Sequence, residues 1–471
     1  MLTSFNREAC RRLPLADSVL RLLDYATNDD LLNSTYESHR GRSYEDVITF
    51  PMFFRLIRDT LLQQEASAHQ CFRQAREDGD LTACFEAMYG KLRRVPPSLS
   101  QGMLFDATSR LCEVLPAAQD PLPANLNSFE VLAFDGKKLK YVAKRLKPLR
   151  PIYGRVLGGK LLVVQNVATK LAVAFESDLD GEAADNGLVE GAVKQVRAQV
   201  RTKPRLWIAD RLFCDLNQIP LLAAEDDFFL LRYQSKVSFH ADSERRARSG
   251  KTAEGLTYRE EWGWLGALSS KRRQYVRRIR LERPGEEAIL VVTNLLDADL
   301  YPATDLLAAY RRRWGIETMF QQATDVFDLR HLISGTPQAT IFQASFVLLL
   351  HNVIQVMRGF IAEAEKRNPE TISTQNLFQD VVKQLSAWTL LVDEDQTLSW
   401  LRDGVQTAAQ VMAYLRKRLA NVWTKRWQKA PTKKRKPRPR HTDYLKGGHS
   451  SVYRILRGEH ELVPEPASAE S

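Results

Sequence analysis

Three carboxylates stand out by the residues around them. Asp135 closes the apolar run Val131-Leu-Ala-Phe134, Asp210 closes Leu206-Trp-Ile-Ala209, and Glu317 lies inside Tyr310-Arg-Arg-Arg-Trp-Gly-Ile-Glu-Thr-Met-Phe320. Apolar runs of that length read as buried strands, so each aspartate is expected at the mouth of a sheet. Ile316, Met319, Phe320, Ala323 and Phe327 follow helical spacing, and Thr304 is the expected N-cap after Pro302. On one continuous helix Tyr310, Arg313 and Glu317 share a face, because residues three and four apart are neighbours. Two strand-end aspartates and a helix glutamate supply hard oxygen donors, the class that suits Mg²⁺ or Mn²⁺. The matching chemistry is displacement at phosphorus with two ions per site, one activating water or a 3′-hydroxyl and one steadying the leaving oxygen. Asp135, Asp210 and Glu317 are thus the candidate catalytic and metal-binding residues. Arg211 is expected to orient Asp210 or to meet the scissile strand. Tyr310 and Arg313 are expected to clamp phosphates, the guanidinium offering a bidentate fork. The plainer readings are an Asp-Gly turn at Asp135 and, for Glu317, an exposed pair with Arg313 worth only about 0.3–0.5 kcal/mol.

Taken together, Asp135, Asp210 and Glu317, with Tyr310-x2-Arg313-x3-Glu317 around the last and Val-Thr-Asn-Leu295 before it, resemble the DDE transposases of bacterial insertion sequences. The likeness is to the insertion sequence four family with its Tyr-Arg-Glu-Lys signature, and it runs from about Phe129 to His331. It implies a ribonuclease-H-like core and cut-and-paste transposition: strand cleavage at the transposon ends, then transfer of the 3′-hydroxyl to target DNA. It also implies double-stranded DNA partners (terminal inverted repeats and target) and a homodimer on paired ends. One position departs from the pattern. The signature lysine would stand at Thr324, and no lysine occurs between Glu317 and Lys366. Two rival readings stay open: a ribonuclease-H-like repair nuclease with the same chemistry but no end preference, and an inactive, transposase-derived DNA-binding protein.

The elements that must position these residues fall into an α/β order. Residues 1–125 read as helical, with segments at Ser18–Ala26, Ser43–Gln63, Ala66–Arg76 and Ser98–Leu115, Ser98 acting as a cap. By resemblance this is the DNA-end-binding domain. Residues 126–335 read as a mixed-sheet core: a strand before Asp135, a hairpin across Ala168-Thr169, a helix capped by Asp185, strands at Leu206–Ala209 and Phe228–Leu231, and the Glu317 helix. A β insertion interrupts it at about 235–287. Its arginines stand close to Trp262 and Trp264, the mixture expected where a backbone is gripped and a base stacked. Residues 336–424 read as helical and suited to dimerisation, Ile341–Met357 being a core helix. Residues 425–471 read as a basic tail, since Lys425–Arg440 carries nine basic residues in sixteen, among them the candidate DNA contacts Lys433, Lys434, Arg435 and Lys436.

Composition agrees with that reading. The chain has 471 residues, 44% hydrophobic and 27% charged, with a formal net charge of +11, which favours a polyanionic partner. Its five cysteines are scattered and form no CxxC pair, so neither a disulfide framework nor a zinc module is suggested, and a reducing, cytoplasmic, nucleoid-associated setting is expected. No signal pattern or membrane span is expected.

Overall fold

The computed structural model describes residues 8, 11–62, 68–77, 79, 81–116, 121–140, 142, 144, 146–152, 154–199, 202–327, 335–392, 407–430 and 449–459. A helical region comes first: α1 Pro14–Ala26, α2 Asp29–His39, α3 Phe50–Leu62, α4 Ala68–Glu77, α5 Phe85–Arg94 and α6 Pro97–Glu113. The core follows with β1 Glu130–Lys138, β2 Arg155–Leu157, β3 Lys160–Asn166, β4 Ala172–Asp178, α7 Val189–Arg197, β5 Arg205–Ala209, α8 Ile219–Leu222 and β6 Phe228–Arg232. Next come β7 Phe239–Ala241, β8 Arg248–Lys251, β9 Thr257–Leu265, β10 Gln274–Leu281 and β11 Ile289–Thr293. The chain returns to helix with α9 Ala303–Arg311, α10 Trp314–Asp325, α11 Pro337–Ala364, α12 Thr374–Leu391 and α13 Ala408–Leu419, then β12 His449–Ser451 and α14 Val452–Leu456.

The main sheet runs β4-β3-β1-β5-β6-β11-β10-β9-β7, with β8 paired to β9. The antiparallel neighbours β1, β3 and β4, with β5 parallel to β1 and β6 parallel to β5, give the ribonuclease-H-like order. Alternation sets the two faces. Val131, Ala133, Leu206, Ile208 and Leu230 pack with Leu306, Leu307 and Tyr310 of α9 in one cluster. Leu132, Phe134, Trp207, Ala209, Phe229 and Leu231 join the larger cluster on the other side. In that cluster α6 packs against β4 and α11, so helices from both ends of the chain share one apolar core with the sheet. The β insertion is continuous with the core, because β10 pairs with β11, which pairs with β6.

The structure revises several sequence expectations. Among the described residues before Glu130 there is no strand, as expected, but α6 starts at Pro97 with Pro96 as N-cap, and the Ser98 hydroxyl donates to the His39 carbonyl instead of capping. Proline at the first helical position needs no partner for a missing N–H, so the cap moves upstream. A 3₁₀ turn, Asp185–Leu188, precedes α7 where a capped helix was expected. Thr304 is not a cap either; Pro302 is, without a side-chain hydrogen bond. The tail is not wholly a solvated segment. Trp427 is buried and its indole donates to Asp380, while β12 pairs parallel with β2 and Arg454 grips Asp180 and Glu182. Helix α11 is apolar and long enough to cross a membrane, yet its apolar stretch is buried inside the protein, the core helix expected at Ile341–Met357.

Candidate active site

Asp135 and Asp210 are brought together by strand register. Glu130–Ala133 of β1 pair with Arg205–Ile208 of β5, and continuing that register sets Asp135 opposite Asp210 on the face where Ala133 and Ile208 lie. Asp210 stands just beyond β5, as expected. Asp135 does not end its strand: β1 continues as Asp135↔Val163, Gly136↔Leu162, Lys137↔Leu161 and Lys138↔Lys160. The Asp-Gly pair is therefore strand and not turn, because β3 supplies a partner for every residue. Gly136 is needed for close packing, since a Cβ there would meet Asp185 Oδ1 at 1.9 Å.

Glu317 arrives from two helices instead of one. Helix α9 stops at Arg311, and the Arg313 and Gly315 amides donate 3₁₀-type bonds to the Tyr310 and Arg312 carbonyls across the junction with α10, which begins at Trp314. Gly315 lies where the chain closes on the β3–β4 hairpin; a Cβ there would approach Gln165 Oε1 to 3.1 Å and Lys170 Nζ to 3.3 Å. A glycine costs about 1 kcal/mol inside a helix, so Trp-Gly was the available signal for the break. The break preserves the shared face. Arg313 Nη2 donates to Glu317 Oε1 at 2.8 Å, its Nη1 lies 4.0 Å from Asp135 Oδ2, and the guanidinium sits 5.9 Å from the Tyr310 ring centre.

The electrostatics follow from burial among acids. Desolvation pushes the Asp135 carboxyl up to about 6; the Gly136 amide and Arg313 oppose the rise, and Glu317 and Asp210 add to it. Burial works against the charge of Arg313, but Tyr310, Glu317 and Asp210 together hold it above its ordinary range. Burial likewise raises the Tyr310 phenol, with Asp210 adding and Arg313 opposing. Tyr310 and Arg313 are each only 3% exposed, so the expected phosphate clamp is revised. Arg313 pairs with Glu317 and faces Asp135, so in this arrangement it positions a carboxylate, while the Tyr310 ring packs beside its guanidinium.

A divalent cation fits the two aspartates better than it fits the triad as it stands. Asp210 Oδ1 is buried without a hydrogen-bond partner, the state of a donor awaiting a cation. Among the described residues, however, no three His, Cys, Asp or Glu side chains form a ready metal group. Glu317 is turned into Arg313, so it joins Asp135 and Asp210 only by giving up that pair. Arg211 does not orient Asp210: it is half exposed and faces Glu287 at 3.4 Å.

The insertion is more self-neutralised than its composition suggests. Arg277 is buried against Glu260, Arg278 pairs with Glu261 and Arg280 with Glu282. Trp262 is 1% exposed, donates to the Leu296 carbonyl and lies under the Arg245 guanidinium at 3.9 Å, leaving no face for a base. Trp264 is half-buried, with Tyr275 edge-on at 5.2 Å and Arg273 over its ring at 4.5 Å. Lys433, Lys434, Arg435 and Lys436 lie outside the described residues. Cys214 is buried, and burial holds its thiol at about 11, which leaves it inert. Sequence reasoning missed a lysine-lined cleft beside Asp135, although Asp135-Gly-Lys-Lys138 spelled out part of it.

The ribonuclease-H-like sheet thus carries two register-matched aspartates, with the glutamate on a helix beside them. Residues 128–353 match the family described as Transposase DDE domain, which supports a DDE transposase. None of the curated proteins compared matches the chain. Among solved structures, it is similar to the cryo-EM structure of a piggyBac transposase synaptic complex with hairpin DNA, at 14% identity over 88% of this chain and 86% of that one. The TM-score is 0.36.

Proposed function

We propose that the chain is a cut-and-paste DNA transposase of the insertion sequence four type, cleaving strands at paired transposon ends and joining the freed 3′-hydroxyl to target DNA. The observation that carries this is the register that sets Asp135 beside Asp210 on the face covered by the Tyr310–Glu317 helices, within the span matching the transposase domain. Asp135 and Asp210 would hold Mg²⁺ or Mn²⁺, with Glu317 as the third donor. When bound, such ions lower the barrier to attack on a phosphodiester. The chain's own part is to keep Asp135 and Asp210 side by side, to hold Glu317 through Arg313 until it is needed, and to bury these groups so that their charges act at full strength. A homodimer on the paired ends follows from the two-fold symmetry of inverted repeats.

The test uses end DNA taken from the flanks of the gene. Wild type is expected to cut at the repeat boundary with Mg²⁺ or Mn²⁺, while Asp135→Ala, Asp210→Ala and Glu317→Ala bind the same DNA without cutting. Cutting without preference for the repeat would favour a repair nuclease. Binding without cutting would favour the inactive, DNA-binding reading, which Thr324 in place of lysine keeps in play.

A further inference from the structure

Beside the acids a cleft of about 390 Å³ is lined by Gly136, Lys137, Lys138, Lys140, Lys160, Asp185 and Thr324. Its single carboxylate is already engaged: Lys160, 5% exposed on its side chain, lies 2.9 Å from Asp185 and donates to the Ala183 carbonyl. The other three lysines make no ion pair with a described residue, and Lys138 and Lys140 are exposed at the rim. Lys137 reaches deeper. It stands two residues after Asp135 on the same strand, hence on the same face and about 7 Å farther along. Its ammonium lies 5.4 Å from the centre of the Phe320 ring, one turn after Glu317. The opposite wall brings no cation: the Thr324 hydroxyl is turned back to the Phe320 carbonyl at 2.8 Å.

We propose that this cleft seats a backbone phosphate of the DNA strand being cut, next to the scissile one, with Lys137 as its contacting cation. The proposal rests on the transposase reading and deepens it, since it assigns a residue of β1 to hold the strand beside the acids, where the helix wall offers only the Thr324 hydroxyl. Other small anions share the chemistry of a phosphate, so the experiment must identify the phosphate as one in DNA.

The measurement is the salt dependence of end-DNA binding together with cleavage, for wild type, Lys137→Gln, Lys137→Arg and Lys137→Gln/Thr324→Lys. Loss of one phosphate contact should reduce the slope of log affinity against log salt by about 0.9, and weaken binding roughly tenfold or more at low salt. Lys137→Arg should keep the slope, and the added lysine at 324, entering the same cleft, should restore it. A neutral methylphosphonate walked along the cut strand should weaken wild-type binding at one position and leave Lys137→Gln binding unchanged there. A fold defect would not reproduce that position-specific loss. If wild type binds and cuts while Lys137→Gln keeps its slope and no methylphosphonate distinguishes the two, this inference falls and the transposase reading stands. If wild type binds no end DNA, both fall.

Discussion

Replacing Asp135 by Asn tests the electrostatics of the site without any DNA. Burial holds the Asp135 carboxyl at about 6, against an ordinary value of 3.8. The folded chain therefore keeps a proton that the unfolded chain has already lost, so stability falls as pH rises through that window and stays lower above it. At about 1.36 kcal/mol per tenfold in acidity, the cost of ionising the folded group is about 3 kcal/mol at neutral pH. The side chain is 28% exposed, so solvent screening removes little of this. Asparagine keeps the shape and cannot titrate. Urea unfolding in EDTA should show the stability of Asp135→Asn, relative to wild type, growing by up to about 3 kcal/mol between pH 4 and pH 8. Other shifted groups, such as Asp17 at about 7, are common to both chains and cancel. Mg²⁺ should then reverse the order: at a hundred times its dissociation constant it adds about 2.7 kcal/mol to a chain that binds it, and Asp135→Asn should gain far less. A difference between the chains that stays flat with pH would refute the argument that desolvation governs this carboxyl.

Arg277 and Glu260 form a buried pair, with Arg277 Nε donating to Glu260 Oε2 at 2.7 Å, so Arg277→Met should cost about 3–5 kcal/mol in chemical unfolding by stranding the glutamate. The double change Arg277→Met/Glu260→Leu should recover most of that loss. Trp262→Ala should cost about 3–5 kcal/mol because the indole is core, whereas Trp264→Ala, at a half-buried site, should leave stability nearly intact and weaken end-DNA binding in a gel-shift titration. Equal stability losses for the two would show that neither tryptophan is available to a base.

What the sequence determined by itself is the material of the site and most of its scaffold. Val131–Phe134 and Leu206–Ala209 read as buried strands because they are unbroken apolar runs, and Asp210 does stand just beyond the second of them. The apolar stripe of Ile316, Met319, Phe320 and Ala323 likewise fixed which side of the Glu317 helix turns inward, and those four residues are buried. Burial, pairing and partner choice belonged to the tertiary structure. No local pattern tells a strand-end Asp-Gly from one that β3 carries onward as strand, and no composition tells an arginine that faces DNA from one, like Arg277, already matched by a glutamate across the ladder. Arg313 is the sharpest instance. Its spacing to Glu317 was legible, but only the packing of α9 and α10 on the sheet, which excludes water from it, makes it a holder of carboxylates instead of an exposed hand for phosphates. The cleft that takes in Lys137, Lys160 and Thr324 joins residues far apart in the chain, and distance in space is the one quantity that spacing in sequence does not contain.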